Sequence, residues 1–79
     1  MSKAEFLAAA AVATRRHDEA LALADALESD ARGGARFYAA LAQAVREEVA
    51  RDRGGAAPTH ALLKEIGYAG WSDVLSARA

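Results

Sequence analysis

Apolar and polar positions along the chain follow helical spacing. The pattern is clearest between residues 35 and 53, where large apolar residues recur every three or four positions: Phe37, Tyr38, Leu41, Val45 and Val49. This stripe predicts an amphipathic helix over residues 35–53, ended by Gly54 and Gly55. Because no segment alternates with the two-residue period of a half-buried strand, the sequence predicts an all-α fold.

The first part of the chain is predicted to form one long helix over residues 1–30. Residues 2–28 contain neither glycine nor proline and are rich in alanine and leucine. Ser2 followed by Glu5 has the spacing of a capping box. The polar run at residues 14–19 offers an alternative, a break with Asp18 capping a second helix from Glu19. Apolar positions at seven-residue spacing predict a seam made mostly of alanine: Phe6, Ala10, Ala13, His17, Ala20, Ala24 and Leu27.

The last third of the chain predicts two short helices within residues 58–79. Pro58 and Thr59 open the first, Gly67 ends it, and the second runs from about Trp71. The sequence therefore predicts a single domain over residues 1–79. Residues 1–30 and 35–53 form an antiparallel hairpin that the short helices close. Since the chain is small and has no cysteine, we predict a homodimer in which a second copy covers the alanine seam.

Charge excludes some classes of function. The net charge of −1 lacks the basic excess of a nucleic-acid coat protein. The uncharged stretch of residues 6–14 is far shorter than the roughly 20 residues of a membrane helix. Lys3 and the alanine run after it weakly resemble a signal peptide, but Glu5 interrupts that pattern. These features favour the cytoplasm.

Acidic and basic residues are unevenly divided between the two predicted long helices. Residues 1–30 hold three basic and six acidic side chains, whereas residues 31–55 hold five basic and three acidic. This division favours ion pairs between the two helices, and Glu47 with Arg51 predicts a pair within the second. The alternative is that acidic residues of the first helix bind a protein partner: Asp18, Glu19, Asp25, Glu28 and Asp30.

No residue pattern predicts a catalytic, cofactor or metal site. The chain has no cysteine, and none of its serines stands at a nucleophile elbow. His17 is next to Asp18 and Glu19, but adjacent helical residues point about 100° apart, so His17 is interpreted as a partly buried structural residue. His17 and His60 without cysteine do not make a zinc site. The sequence predicts a protein that is not an enzyme.

The end of the chain resembles a DNA-binding motif. Residues 63–70, LKEIGYAG, are similar to the turn region of some transposase-type DNA-binding domains. The resemblance implies a dimeric helix-turn-helix regulator. Its phosphate contacts would come from four arginines, Arg15, Arg16, Arg32 and Arg36. Only Arg78 is available in the last predicted helix to contact bases. DNA binding as a dimeric helix-turn-helix regulator is therefore the alternative function and not the first one.

The whole chain resembles another class of protein in size and composition. It is short, mildly acidic and rich in alanine and arginine, as in high-GC bacteria and their phages. In this it resembles small phage-encoded inhibitors of bacterial defence, of the anti-CRISPR type. The resemblance implies a binding module whose acidic side chains block nucleic-acid engagement by a larger protein or ribonucleoprotein effector.

Overall fold

The computed structural model describes residues 3–29 and 36–77, and within them every regular element is helical. The five helices are α1 (Ala4–Ala13), α2 (His17–Ser29), α3 (Arg36–Asp52), α4 (Ala61–Glu65) and α5 (Ala69–Ser76). Helices α2 and α3 pack antiparallel, and the two short helices close the bundle. The all-α fold and the two short C-terminal helices are confirmed. None of the described helices is both long and apolar enough to cross a membrane.

The single long helix predicted over residues 1–30 is wrong, because the chain turns between α1 and α2. Arg15 has a φ of 56°. Its N–H donates to the Val12 carbonyl, and the N–H of Arg16 donates to the Ala11 carbonyl. These two hydrogen bonds close a helix end of the Schellman type, with Arg15 in the left-handed position that glycine usually takes. The break falls inside the polar run, but α2 begins at His17, before the expected start.

The core lies mainly between α2 and α3. Helix α3 buries the expected stripe of Leu41, Val45 and Val49, together with several alanines. Ala20, Ala24 and Leu27 of α2 are also buried. The second half of the predicted seam is therefore covered within the single chain, and the prediction that a second copy covers it is wrong there. Leu63 of α4 and Leu75 of α5 complete the core from the C-terminal side.

The first half of the predicted seam is wrong. Phe6 and Ala10 are exposed, and α1 instead buries three small apolar residues and one acid: Ala8, Ala11, Val12 and Glu5. The break at Arg15 rotates α1 relative to α2, so the two helices do not share one continuous stripe. Lys3 occupies the N-cap of α1 without a side-chain hydrogen bond, and the capping residue expected there, Ser2, lies outside the described residues.

The other helix ends are close to the predicted ones. Gly54 and Gly67 have φ values of 91° and 95°, so each takes the left-handed position just after a helix. Helix α5 begins at Ala69, two residues before the expected start. The N-cap of α4 is His60, which has a φ of 52°. Gly33 and Gly34, which lie in the sequence between the two predicted long helices, are outside the described residues.

Candidate binding surface and buried polar link

All five aromatic residues of the chain gather on one side of the molecule. Phe6 and Phe37 each contact the Trp71 ring, with centroids 5.7 and 5.8 Å apart. Phe37 also contacts Tyr68 at 4.6 Å and Tyr38 at 5.6 Å. The rings come from α1, from the first turn of α3 and from the α4–α5 region, so the tertiary fold brings them together.

Apolar side chains are exposed both in this cluster and at positions near it in the sequence. Phe6 is 58% exposed, its neighbour Leu7 is 51% exposed, and Val74, one helical turn after Trp71, is 52% exposed. We call this surface the aromatic patch and define it by six residues: Phe6, Leu7, Phe37, Tyr68, Trp71 and Val74. Adjacent exposed apolar side chains mark interaction surfaces more often than isolated ones do.

Helix α1 has an unusual distribution of polarity. Its only charged residue is Glu5, which is 1% exposed, whereas its two largest apolar residues, Phe6 and Leu7, face outward. The exposed surface of residues 4–13 therefore carries no charge. A helix that is apolar all round is normally buried all round, whereas the described residues cover only one side of α1.

The aromatic patch is not a small-molecule pocket. No cavity is found within residues 3–29 and 36–77. Binding sites for small ligands are concave and enclose most of the ligand, which a surface without a cavity does not do. A surface of this shape is suited to contact with another macromolecule.

The acidic residues predicted to bind a partner are paired with arginines of the same chain. Arg46 of α3 donates to Asp25 at 2.7 Å and to Glu28 at 3.0 Å. The hydrogen bond that Glu28 accepts, and then the one that Asp25 accepts, raise the pKa of the Arg46 guanidinium above its ordinary value. Asp18 lies 3.4 Å from Arg53, and Glu19 pairs with Arg16.

These pairs change the interpretation of the acidic residues. The arrangement confirms the expectation that charges on the two hairpin helices complement each other. Asp25 and Glu28 meet at one arginine, whereas Asp18 and Glu19 each use a different one. Asp30 lies outside the described residues. To bind a basic partner, these carboxylates would have to exchange contacts they already make.

A buried polar link joins α3 to the C-terminal helices. His60 Nδ1 lies 2.7 Å from Ser72 Oγ of α5, and His60 Nε2 lies 2.7 Å from Glu48 Oε2 of α3. The contact between Nε2 and Oε2 does not have the geometry of a hydrogen bond, although the two atoms lie close together. Glu48 also lies 3.1 Å from Arg51, and all three residues of the link are at most 5% exposed.

The link contains the residue types of a serine hydrolase triad but not its arrangement. In that triad the serine faces Nε2 and the acid faces Nδ1, whereas here the two nitrogens are exchanged. Ser72 is 5% exposed, and no cavity among the described residues leads to it. The geometry therefore describes a structural connection between helices. Sequence analysis missed it, because His60 has no acidic neighbour at helical spacing.

Two other expectations about polar residues have different outcomes. His17 is partly buried, as predicted, and its Nε2 lies 3.0 Å from Asp52 Oδ2 of α3. The prediction of an ion pair between Glu47 and Arg51 is wrong, since Arg51 pairs with Glu48. Glu47 Oε1 instead accepts the backbone N–H groups of Thr59 at 2.8 Å and of His60 at 3.0 Å, where the chain enters α4.

The C-terminal helices resemble a helix-turn-helix only in outline. As described, α5 presents Asp73 and Val74 to solvent and contains no Arg, Lys, Asn or Gln that could read a base. Among the arginines expected to contact phosphates, Arg16 pairs with Glu19, and Arg15 and Arg36 are exposed. Arg32 and Arg78 lie outside the described residues.

Comparison with known proteins identifies no relative. No protein-family model, curated protein or solved structure matches the chain. In the part of the chain that the structure describes, no group of His, Asp and Glu residues could hold a metal ion. The function must therefore be argued from the surface itself.

Proposed function

We propose that this chain is a small, non-enzymatic protein-binding module that contacts its partner through the aromatic patch. The observation that carries the proposal is the position of the aromatic residues: all five form one cluster, and its exposed members adjoin the uncharged face of α1. Aromatic side chains dominate the energetics of protein interfaces, because each one buries a large area at little entropic cost.

The shape and charge of the patch support a partner with an apolar surface. The described residues have no cavity for a side chain or a small molecule to enter, and α1 offers no charge that would attract an ionic partner. The driving force for binding is then the removal of apolar area from water. The acidic residues of α2 would lie outside the centre of such an interface, where charges influence the association rate more than the affinity.

An inhibitor of the anti-CRISPR type is a narrower form of this proposal. Its partner would be a larger protein or ribonucleoprotein effector, and the module would block nucleic-acid engagement by occupying that surface. Support for this form comes from size and composition alone, whereas the aromatic patch supports protein binding in general. In the narrower form, the purified module would weaken the effector's binding to nucleic acid.

Site-specific photo-crosslinking tests the proposal. A benzoylphenylalanine residue replaces Leu7 in the patch or, as a control, Ala22, which is exposed on α2. The protein is irradiated in its native cells, and adducts are identified by mass spectrometry. We expect an adduct at position 7 that does not form at position 22.

The adduct protein is then purified, and its affinity for the module is measured. Val74→Glu places a charge in the patch at an exposed position and should weaken binding by at least about tenfold. Ala22→Glu adds the same charge elsewhere and should have no effect. Equal adducts at both positions, or equal affinity for Val74→Glu and the unmodified protein, would contradict the proposal.

A further inference from the structure

Within residues 3–29 and 36–77, no part of the chain covers the exposed face of α1. Phe6, Leu7 and Ala10 lie on the side of α1 opposite the buried Ala8 and Val12. We infer that a second copy of this chain covers this face and forms a two-fold homodimer centred on α1 and the aromatic patch. The inference rests on the proposed function, because it names the occupant of the same surface.

The shape of this face favours self-association. A two-fold dimer places the same patch on both sides, so the exposed apolar side chains of one copy meet those of the other. Ala10 lies one turn after Phe6 and Leu7, and its small side chain lets a facing helix approach closely. Since α1 exposes no charged residue between positions 4 and 13, two copies of α1 can face each other without burying a charge.

The exposed apolar area is appropriate for a weak dimer. The exposed fractions of the six patch residues correspond to on the order of 500 Å² per copy, given the roughly 150–250 Å² that each aromatic side chain can bury. This is about a tenth of the 4506 Å² that the chain exposes, the share that an interface typically takes on a small protein. Two copies together would bury about 1,000 Å², near the lower limit for a specific interface, so we expect a micromolar dissociation constant.

Only the α1 part of the predicted seam is exposed and can contact a second copy. Ala20, Ala24 and Leu27 are buried within the single chain, in the bundle that α2 forms with α3. They are not available to a second copy. The remaining members on α1, Phe6 and Ala10, are exposed and adjoin the patch. The dimer we infer therefore uses α1 and α5, not the whole seam.

Sedimentation equilibrium tests the inference. The unmodified chain is compared with Leu7→Glu and with the control Ala22→Glu, from about 5 to about 500 µM, a range that brackets the affinity expected for this area. The unmodified chain and Ala22→Glu should show the same monomer–dimer equilibrium. Leu7→Glu, which would bury a charge at the contact, should weaken the dimer at least about tenfold. Circular dichroism checks that each variant is folded, and Val74→Glu replaces Leu7→Glu if that variant is not.

The outcomes separate this inference from the proposed function. An unmodified chain that remains monomeric throughout the range, or a Leu7→Glu chain that dimerises equally well, overturns the homodimer. If the position-7 crosslink then gives an adduct with a different protein, and the Val74→Glu affinity test supports that partner, the proposed function stands without the homodimer. If no patch-specific adduct forms either, both are overturned.

Discussion

His60 contacts residues of two other helices, and nothing in the sequence around it predicts these contacts. Its side chain contacts both Glu48 of α3 and Ser72 of α5. Its backbone N–H donates a hydrogen bond to Glu47 Oε1. Twelve residues separate His60 from each of its two side-chain partners, so no local spacing relates the three. A buried charge costs several kcal/mol when its partner is lost, which makes this residue a sensitive point of the fold.

We expect His60→Ala to lower the free energy of unfolding by about 3 kcal/mol, since it removes the hydrogen bond to Ser72 and takes one close polar neighbour from the buried Glu48 carboxylate. The Arg51 contact to Glu48 offsets part of the loss. Alanine at φ 52° is as strained as histidine there, so the difference reports the side chain alone. The measurement is urea denaturation followed by circular dichroism.

Two further variants make the His60 result interpretable. Lys64→Ala changes an exposed residue of the same helix and should shift the free energy of unfolding by less than about 0.5 kcal/mol. Ser72→Ala removes one side-chain hydrogen bond and should cost about 1 kcal/mol. If His60→Ala costs no more than Lys64→Ala, the link does not stabilise the fold.

At the scale of whole helices, three helix ends share one geometry. Helices α1, α3 and α4 each end in a Schellman motif, in which the left-handed residue is Arg15, Gly54 or Gly67. The two glycine ends could be predicted from the sequence, because glycine after a helix is a strong stop signal. The end at Arg15 could not, since arginine rarely takes this conformation.

The ends at Arg15 and Gly67 should respond in opposite directions to substitution. Gly67→Ala should lower the free energy of unfolding by about 1 kcal/mol, although an added Cβ meets no atom within 4 Å, because φ is 95°. Arg15→Gly should raise it by up to about 1 kcal/mol, since it relieves the left-handed strain. Thermal unfolding measures both.

Gly70 provides the control for these two substitutions. It lies inside α5, and a Cβ there also meets nothing within 4 Å, but its φ is not in the left-handed region. Gly70→Ala should therefore stabilise the protein, by up to about 1 kcal/mol. A Gly67→Ala variant that is as stable as Gly70→Ala would show that the backbone conformation at position 67 is not the cause.

The sequence pattern predicts the buried face of α3 but not that of α1, because only α3 carries a regular stripe of large apolar residues. The α3 stripe of Leu41, Val45 and Val49 could be predicted, because a regular stripe of large residues determines which face is buried. Helix α1 could not, since its run of alanines gives every face nearly the same apolarity. Its orientation is set by tertiary packing, which buries Glu5 and leaves Phe6 and Leu7 outside.

At the scale of the whole molecule, the aromatic patch is a product of topology. Phe6 precedes Phe37 by 31 residues and Phe37 precedes Trp71 by 34, and each belongs to a different helix. The individual residues could be predicted as helical and apolar. Their meeting on one face depends on the turn at Arg15 and on the docking of α5, neither of which the sequence pattern determined.

The molecule is also unevenly stabilised, and hydrogen exchange should reveal this. Helix α3 buries Leu41, Val45 and Val49, whereas α4 and α5 each bury one large apolar side chain, Leu63 and Leu75. For a chain of this size, global unfolding requires about 4–12 kcal/mol. We expect the central amides of α3 to exchange only through global unfolding, and those of α4 and α5 to exchange at a free energy lower by about 1–2 kcal/mol.

His60→Ala adds a second test of this hierarchy. The His60 side chain contacts both α3 and α5. Removing it should therefore raise the amide exchange rates in α4 and α5, relative to the unmodified chain, more than those in the centre of α3. Equal loss of protection in all helices would mean that the five helices unfold as one cooperative unit. A selective loss would show that α5, with the Trp71 and Val74 that it adds to the aromatic patch, can leave the bundle while the α2–α3 pair stays folded. Partner binding to the patch would then stabilise the docking of α5 directly.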